Sequence, residues 1–362
     1  MRSIKKWLAL GMCVSLAAGL AGCSSTAPSG TQGNNTASAE SSKSGESSKG
    51  SENGKASGVK TIRIANGQPE DHPENIALYA FKDFIEERLG DKYTVEIYPN
   101  ELMGGSAQAL ELMQSGSLEM VIASTSNLEA FSNTYKIFGL PYLFDSLDSY
   151  YKVMDTEEFI NKIYSSTVDS GIQGVAWFSA GTRSFYSPKK IESPADLKGK
   201  KVRVQSSDTN VKMVEALGGA AVILSYGEVY TALQNGVIDV AESPEIALVS
   251  HKHGEVAKFY SYDEHQIMPD MLVASPKFMS SLSEEEKAVF EEGFKMCSEK
   301  ERVEWDAEID AVKEKALEMG VEFVDVDKEP VKELLLPVTQ KVLEENPDLK
   351  PLYDEIKQIQ EN

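Results

Sequence analysis

The chain has 362 residues, and Lys+Arg 36 against Asp+Glu 57 leave a formal charge of −21, with a pI near 4.7. Such a field repels phosphate backbones and anionic headgroups, which excludes nucleic acid as a partner, while the length favours two domains at roughly 100 to 200 residues each. Cys13, Cys23 and Cys297 are the three cysteines, too few and too scattered for a disulfide framework or a thiolate metal site.

Arg2, Lys5 and Lys6 precede an apolar run from Trp7 to Gly22, shorter than the ~20 residues of a membrane-spanning helix, so residues 1–22 read as a secretory signal peptide. The run closes on Leu20-Ala21-Gly22-Cys23, which resembles the lipobox of bacterial lipoproteins. That resemblance implies cleavage before Cys23, a lipid on its thiol, and anchorage to the cell membrane on the extracytoplasmic face. Cleavage removes three basic residues and no acid, so the charge of the mature chain moves to −24. From Ser24 to Gly58 there is no Leu, Ile, Val, Phe, Tyr or Trp, and nothing there offsets the entropy of ordering. Residues 23–58 are therefore read as a lipidated cysteine and flexible tether, with a reach of roughly 30 to 35 Å.

The folded body begins at Lys60. Strands are expected at Lys60–Ala65, Tyr93–Tyr98, Met120–Ala123, Ile172–Phe178, Lys201–Val204 and Ala221–Leu224. Helices are expected at Pro73–Arg88, Ala107–Gln114, Thr209–Leu217 and Glu228–Gln234. This interleaving argues an α/β fold with mainly parallel pairing. Ser283 and Glu286 form a capping box that opens a helix approaching forty residues, ending at Gly320, long enough to cross between two domains. Cys297 on its apolar side reads as a packed core thiol.

Little in the chain suggests catalysis. Among the four histidines only His251 and His253 are close, and residues i and i+2 of a helix point apart. Gly104-Gly105 lacks the residues of a phosphate loop, and no Gly-x-Ser-x-Gly elbow is present. No cofactor, metal ligand or catalytic residue is assigned.

A series of motifs runs along the body instead: Tyr98 to Gly105 (YPNELMGG), Gly139 to Phe144 (GLPYLF), Gly181-Thr182-Arg183, Ser193 to Val204 (SPADLKGKKVRV), Gly227 to Asp239 (GEVYTALQNGVID) and Glu242-Ser243-Pro244. The string resembles the solute-binding proteins of tripartite ATP-independent periplasmic (TRAP) transporters. The resemblance implies a two-lobed periplasmic-binding-protein-like fold with hinge strands and a long domain-crossing helix. It also implies an organic anion as ligand, a small and a large membrane subunit as partners, and sodium-coupled uptake. Lobe I is expected from residues 59–180 plus 269–308, and lobe II from 181–268 plus 309–362.

Residue by residue, Arg203 matches the arginine that pairs with the ligand carboxylate in the family, and Arg183 a second arginine at the same ligand. From sequence alone Arg203 is as readily a strand charge reaching water. Tyr226 falls where the family places an aromatic over the ligand, and Ser243, after Glu242, where many members have Asn. Asn66, Gln68 and His72 are wall or loop-capping residues, and His265 is a wall residue or a hinge hydrogen bond. Arginines beside polar Gln68, His72, Glu242 and Ser243 favour a hydroxylated sugar acid such as a uronate. Two alternatives are a solute-binding lipoprotein of an ATP-driven transporter and a surface enzyme acting on sugar acids.

Overall fold

A computed structural model describes residues 58–361. The signal peptide, Cys23 and nearly all of the tether lie outside the described residues. β1 (Lys60–Ala65) alternates strictly: Ile62 and Ile64 are fully buried while Thr61 and Arg63 remain half-exposed. Its loop leads to α1 (Pro73–Leu89), where Pro73 fits the first turn and His72 caps it by accepting the Glu74 N–H. β2 (Tyr93–Tyr98), α2 (Ser106–Gln114) and β3 (Met120–Ser124) follow, and β2 and β3 both pair parallel with β1. Three shorter helices, α3 (Thr125–Leu128), α4 (Leu147–Met154) and α5 (Glu157–Ser165), cover the way to the centre of the molecule.

That centre is a pair of long antiparallel strands, β4 (Gln173–Ser187) and, later in the chain, β8 (Phe259–Ala274). Between them lie β5 (Lys201–Val204), α6 (Asp208–Ala216), β6 (Ala220–Ile223), α7 (Val229–Gln234), β7 (Ala241–Ser243) and α8 (Ile246–Ser250). After β8 come α9 (Pro276–Ser280), α10 (Glu284–Glu318), β9 (Glu322–Asp325), α11 (Lys328–Glu345) and α12 (Lys350–Glu361). The large sheet runs β2-β1-β3-β8-β4-β7 with β9 on β8, and β5 and β6 form a small parallel sheet.

Pairing is therefore mixed, parallel for β1 with β2 and β3, β5 with β6 and β8 with β9, and antiparallel for β3–β8, β8–β4 and β4–β7, where mainly parallel strands are expected from the sequence. β8 lies against β9 at Phe259–Tyr262 and against β3 at Asp270–Ala274, so β4 and β8 form a spine common to both halves. β4 also runs nine residues beyond Phe178, to Ser187. Its register shifts between Ser179 and Thr182, where Gly181 adopts φ +63° and a Cβ would stand 2.6 Å from the Trp305 ring. A local turn signal thus sits inside a continuous strand as a bulge.

α10 is the long helix, 35 residues with the Ser283–Glu286 capping box in place. Phe290 and Phe294 pack on Phe81 of α1, the last pair stacked at 5.4 Å. Further along, Trp305 and Val312 join Ile246 of α8. Cys297 is fully buried in the apolar cluster shared with α1 and β1, and burial pushes its thiol well above the usual range. α11 lies along α6 and α12 along α4, placing Val331, Leu335 and Ile356 in the same apolar cluster as Tyr150 and Val204. Among the described residues no helix is long and apolar enough to cross a membrane.

Candidate functional site

A cavity of about 360 Å³ opens between the small sheet and the β1–α1, β3 and β8 edge of the large one. Its wall includes Arg203 of β5, Arg183 of β4, Tyr226, Ser243 of β7, and Asn66, Gln68 and His72 from the loop after β1. Seven of the nine ligand-contact candidates thus converge on one space. Glu242 and His265 are not in its wall and stand behind Arg183.

Arg203 is 2% exposed. Its backbone is fixed by the Val240 carbonyl at 2.8 Å, and its Nε and Nη2 both donate to the Leu224 carbonyl, at 3.1 and 2.9 Å. Nη1 is buried and meets no acceptor among the described residues. The guanidinium sits 5.4 Å from the centre of the Tyr226 ring, a cation–π distance. Burial draws the Arg203 pKa down and Glu242 acts against it, yet an arginine remains a cation at any physiological pH. Arg203 lines the cavity, and a buried cation with an unfilled donor there favours an anionic ligand.

Arg183 is differently placed. Its Nε donates to Glu242 Oε2 at 2.5 Å and its Nη2 to the Glu242 carbonyl at 2.9 Å. His265 Nε2 lies 3.7 Å from the same carboxylate, an ion-pair distance beyond hydrogen bonding, and its Nδ1 lies 2.8 Å from Asp263 Oδ2. The result is a buried file of alternating charge, Arg183, Glu242, His265 and Asp263. Burial alone would raise the Glu242 pKa, but Arg183 and His265 outweigh it and bring it to about 2. Burial likewise disfavours the charged ring of His265, and Asp263 and Glu242 outweigh that, raising it to about 9.

This file fixes a pH dependence. His265 contributes stability that is whole below about 6.5 and is lost as pH rises through about 9, on the order of 3 kcal/mol in all. Glu242 acts in the opposite sense, its contribution being present above about 4.5 and lost as pH falls toward about 2. Melting temperatures should therefore decline from pH 6.5 to 9.5, and His265→Gln should flatten that decline. An unaltered alkaline slope in the variant would show that His265 is not the titrating group.

Around the two arginines the wall offers polar, uncharged groups. The Tyr226 hydroxyl and Ser243 Oγ are 3.1 Å apart, and the Tyr226 ring lies 4.3 Å from the ring of His251. His251 in turn holds Gln68, Nε2 to Oε1 at 2.7 Å. Burial keeps His72 neutral and draws His251 down to about 4, so both supply neutral imidazoles. Asn66 donates to Glu74 Oε2 at 2.9 Å and accepts from the Gln68 N–H at 3.2 Å. It therefore braces the loop as well as lining the cavity.

Glu74, Gln205, Asp270 and Trp305 also line the cavity and were not singled out from the sequence. Trp305, an apolar position of α10, meets His72 edge-on at 5.9 Å. Glu74 looks like a helix N-terminal acid, which it is. Asp270 lies on β8, a strand with no clear signal in the sequence.

Residues 64–346 match the family described as bacterial extracellular solute-binding protein, family 7. An uncharacterized protein of Salmonella typhimurium, YiiZ, is 36% identical over 301 residues, covering 83% of this chain and 91% of that protein. A TRAP periplasmic solute-binding protein from Anaerococcus prevotii, solved with bound α/β-D-glucuronate, superposes with a TM-score of 0.82 at 46% identity, covering 83% of this chain and 98% of that one. A second, from a Sulfitobacter species with bound β-D-galacturonate, gives 0.80 at 29% identity, covering 83% and 100%. With the two-lobed fold, the crossing strands and the long helix in place, the chain belongs to bacterial extracellular solute-binding protein family 7, the extracytoplasmic receptors of TRAP transporters.

Proposed function

We propose that the protein captures a hexuronate, D-glucuronate or D-galacturonate, and delivers it to a TRAP permease for sodium-coupled uptake. The observation that carries the reading is Arg203, a buried cation in the cavity wall whose Nη1 has no acceptor among the described residues. The other two guanidinium nitrogens are held by Leu224, so the donor is preorganised for one carboxylate oxygen. Tyr226, Ser243, Gln68 and the neutral His72 offer paired donors and acceptors to ring hydroxyls. The cavity volume is at the small end of the ~300 to 1,000 Å³ range of ligand sites, suited to a single sugar acid. The bound uronates of the Anaerococcus and Sulfitobacter proteins support the same ligand class.

The remaining parts of the proposal concern delivery. Lobes built from residues 59–180 plus 269–308 and from 181–268 plus 309–362 close over the ligand, bending at the Gly181 bulge, with α11 seated on α6 and the terminal α12, packed on α4, moving with the first lobe. The protein acts as a receptor and leaves its ligand chemically unchanged. Cys23 carries the lipid that holds it to the outer face of the cell membrane, within reach of the small and large permease subunits.

A thermal-shift series over uronates, aldonates, C4-dicarboxylates, sialic acid and keto acids tests the ligand class. Uronates at a hundred times Kd should raise the melting temperature by roughly 4 °C, the equivalent of about 2.7 kcal/mol. Stabilisation by neutral sugars or peptides, with no response to any acid, would overturn it.

A further inference from the structure

We propose that Glu74 and Asp270 form a carboxyl pair that takes the hydroxyls of the bound sugar acid and bars a second carboxylate, making the receptor selective for monoanionic sugar acids. The inference rests on the uronate reading and deepens it. Glu74 stands in the first turn of α1 and is 1% exposed; Asp270 comes from β8 and is 9% exposed; both line the cavity. Glu74 Oε2 accepts from Asn66 at 2.9 Å, whereas its Oε1 has no donor among the described residues. The carboxyl of Asp270 lines the same cavity and acts electrostatically on Glu74, and two neighbouring carboxylate acceptors cannot satisfy one another without a proton between them.

The surrounding charges decide where that proton sits. Burial and the neighbouring Asp270 and Glu301 raise Glu74 well above the usual carboxylate range. Burial raises Asp270 as well, against the opposing pull of Glu74 and of the Arg183 cation. A pair of neighbouring buried carboxyls shares one proton and keeps one negative charge, and the stronger upward push on Glu74 draws the proton toward it and the charge toward Asp270. Glu301 of α10, fully buried with one oxygen on the Ser179 N–H, is itself pushed well up by burial.

The cavity is consequently bipolar. Arg203 enters from the small sheet as the cation with an unfilled donor, since Arg183 is already paired with Glu242. Asp270 enters from the large sheet as an anion, with strong acceptor capacity for hydroxyls and strong repulsion for a carboxylate. A uronate presents one carboxylate to Arg203 and hydroxyls to the acid pair. An aldarate, carboxylated at both ends of the same six-carbon frame, must bring its second anion near Asp270 or leave it without a partner.

Calorimetric titration at pH 7 with D-glucuronate and D-glucarate tests this on the full mature protein and two variants. The wild type should bind glucarate at least a hundredfold more weakly than glucuronate. Asp270→Asn, which removes the anion and keeps the shape, should narrow that ratio at least tenfold while weakening glucuronate. Glu74→Gln, which replaces the shared proton by an amide donor, should leave the ratio within threefold of wild type. Equal affinity of the wild type for both ligands would overturn the charge filter alone, as would an Asp270→Asn variant that loses both affinities in proportion. A wild type that binds neither acid but binds a neutral sugar would overturn the uronate reading on which the filter rests.

Discussion

Arg203→Ala is expected to lower affinity for D-glucuronate by roughly a hundredfold to a thousandfold while leaving the circular dichroism spectrum and a cooperative melt intact. Removing one partner of a buried, hydrogen-bonded charge pair costs about 2 to 5 kcal/mol of binding. Here the partner arrives already oriented. Leu224 holds Nε and Nη2, Tyr226 lies against the cation, and Nη1 is left without an acceptor among the described residues to take the ligand. Arg203→Lys should bind almost as poorly, because an ammonium cannot hold the Leu224 carbonyl and a carboxylate in the same fixed plane. Affinity within threefold of wild type in the alanine variant would remove Arg203 from the site.

The second large effect is on stability. Glu242→Gln deletes the only fully buried carboxylate that Arg183 touches and leaves a cation with 4% exposure. Breaking one side of a buried ion pair costs about 3 to 5 kcal/mol, so the melting temperature should fall by roughly 5 to 8 °C. Arg183→Met added to Glu242→Gln should recover part of that loss, since two apolar-compatible side chains leave no unpaired charge between them. A single variant that melts with the wild type would show that the file from Arg183 to Asp263 carries no stability. Because Glu242 and His265 lie outside the cavity wall, loss of fold and loss of binding separate cleanly: Glu242→Gln reads in the melt, Arg203→Ala in the titration.

These roles explain what the sequence disclosed and what it did not. Local segments were legible. Lys201–Val204 and Asp208–Ala216 are recognisable from strand alternation and helix period, and the 35-residue α10 from its capping box and apolar spacing. Arg203 and Arg183 were reached through the motifs around them, and both face the cavity. Glu242 was grouped with Ser243, but adjacent residues of a strand point to opposite faces, so with Ser243 on the cavity its neighbour turns inward to Arg183.

β8 was invisible for a related reason. Its central run, Asp263-Glu264-His265-Gln266, reads as a loop in isolation. In the fold those polar groups bond across to β4 and β7: Asp263 takes the Phe185 N–H, and His265 faces Glu242. Polar residues are buried there because their partners come from strands far away in the chain. Missing β8 meant missing Asp270, and the acid pair with it. β4 was cut short in the sequence by Gly181-Thr182, a turn signal that the sheet accommodates as a bulge packed under Trp305.

The family assignment selects a TRAP receptor over the lipoprotein of an ATP-driven transporter, and the identity of the ligand rests on one contact. A crystal structure of the protein with D-glucuronate tests that contact directly. The account predicts a carboxylate oxygen ~3 Å from Arg203 Nη1, with ring hydroxyls directed to Glu74 and Asp270. A uronate seated with its carboxylate elsewhere in the cavity, Nη1 still without an acceptor, would contradict it.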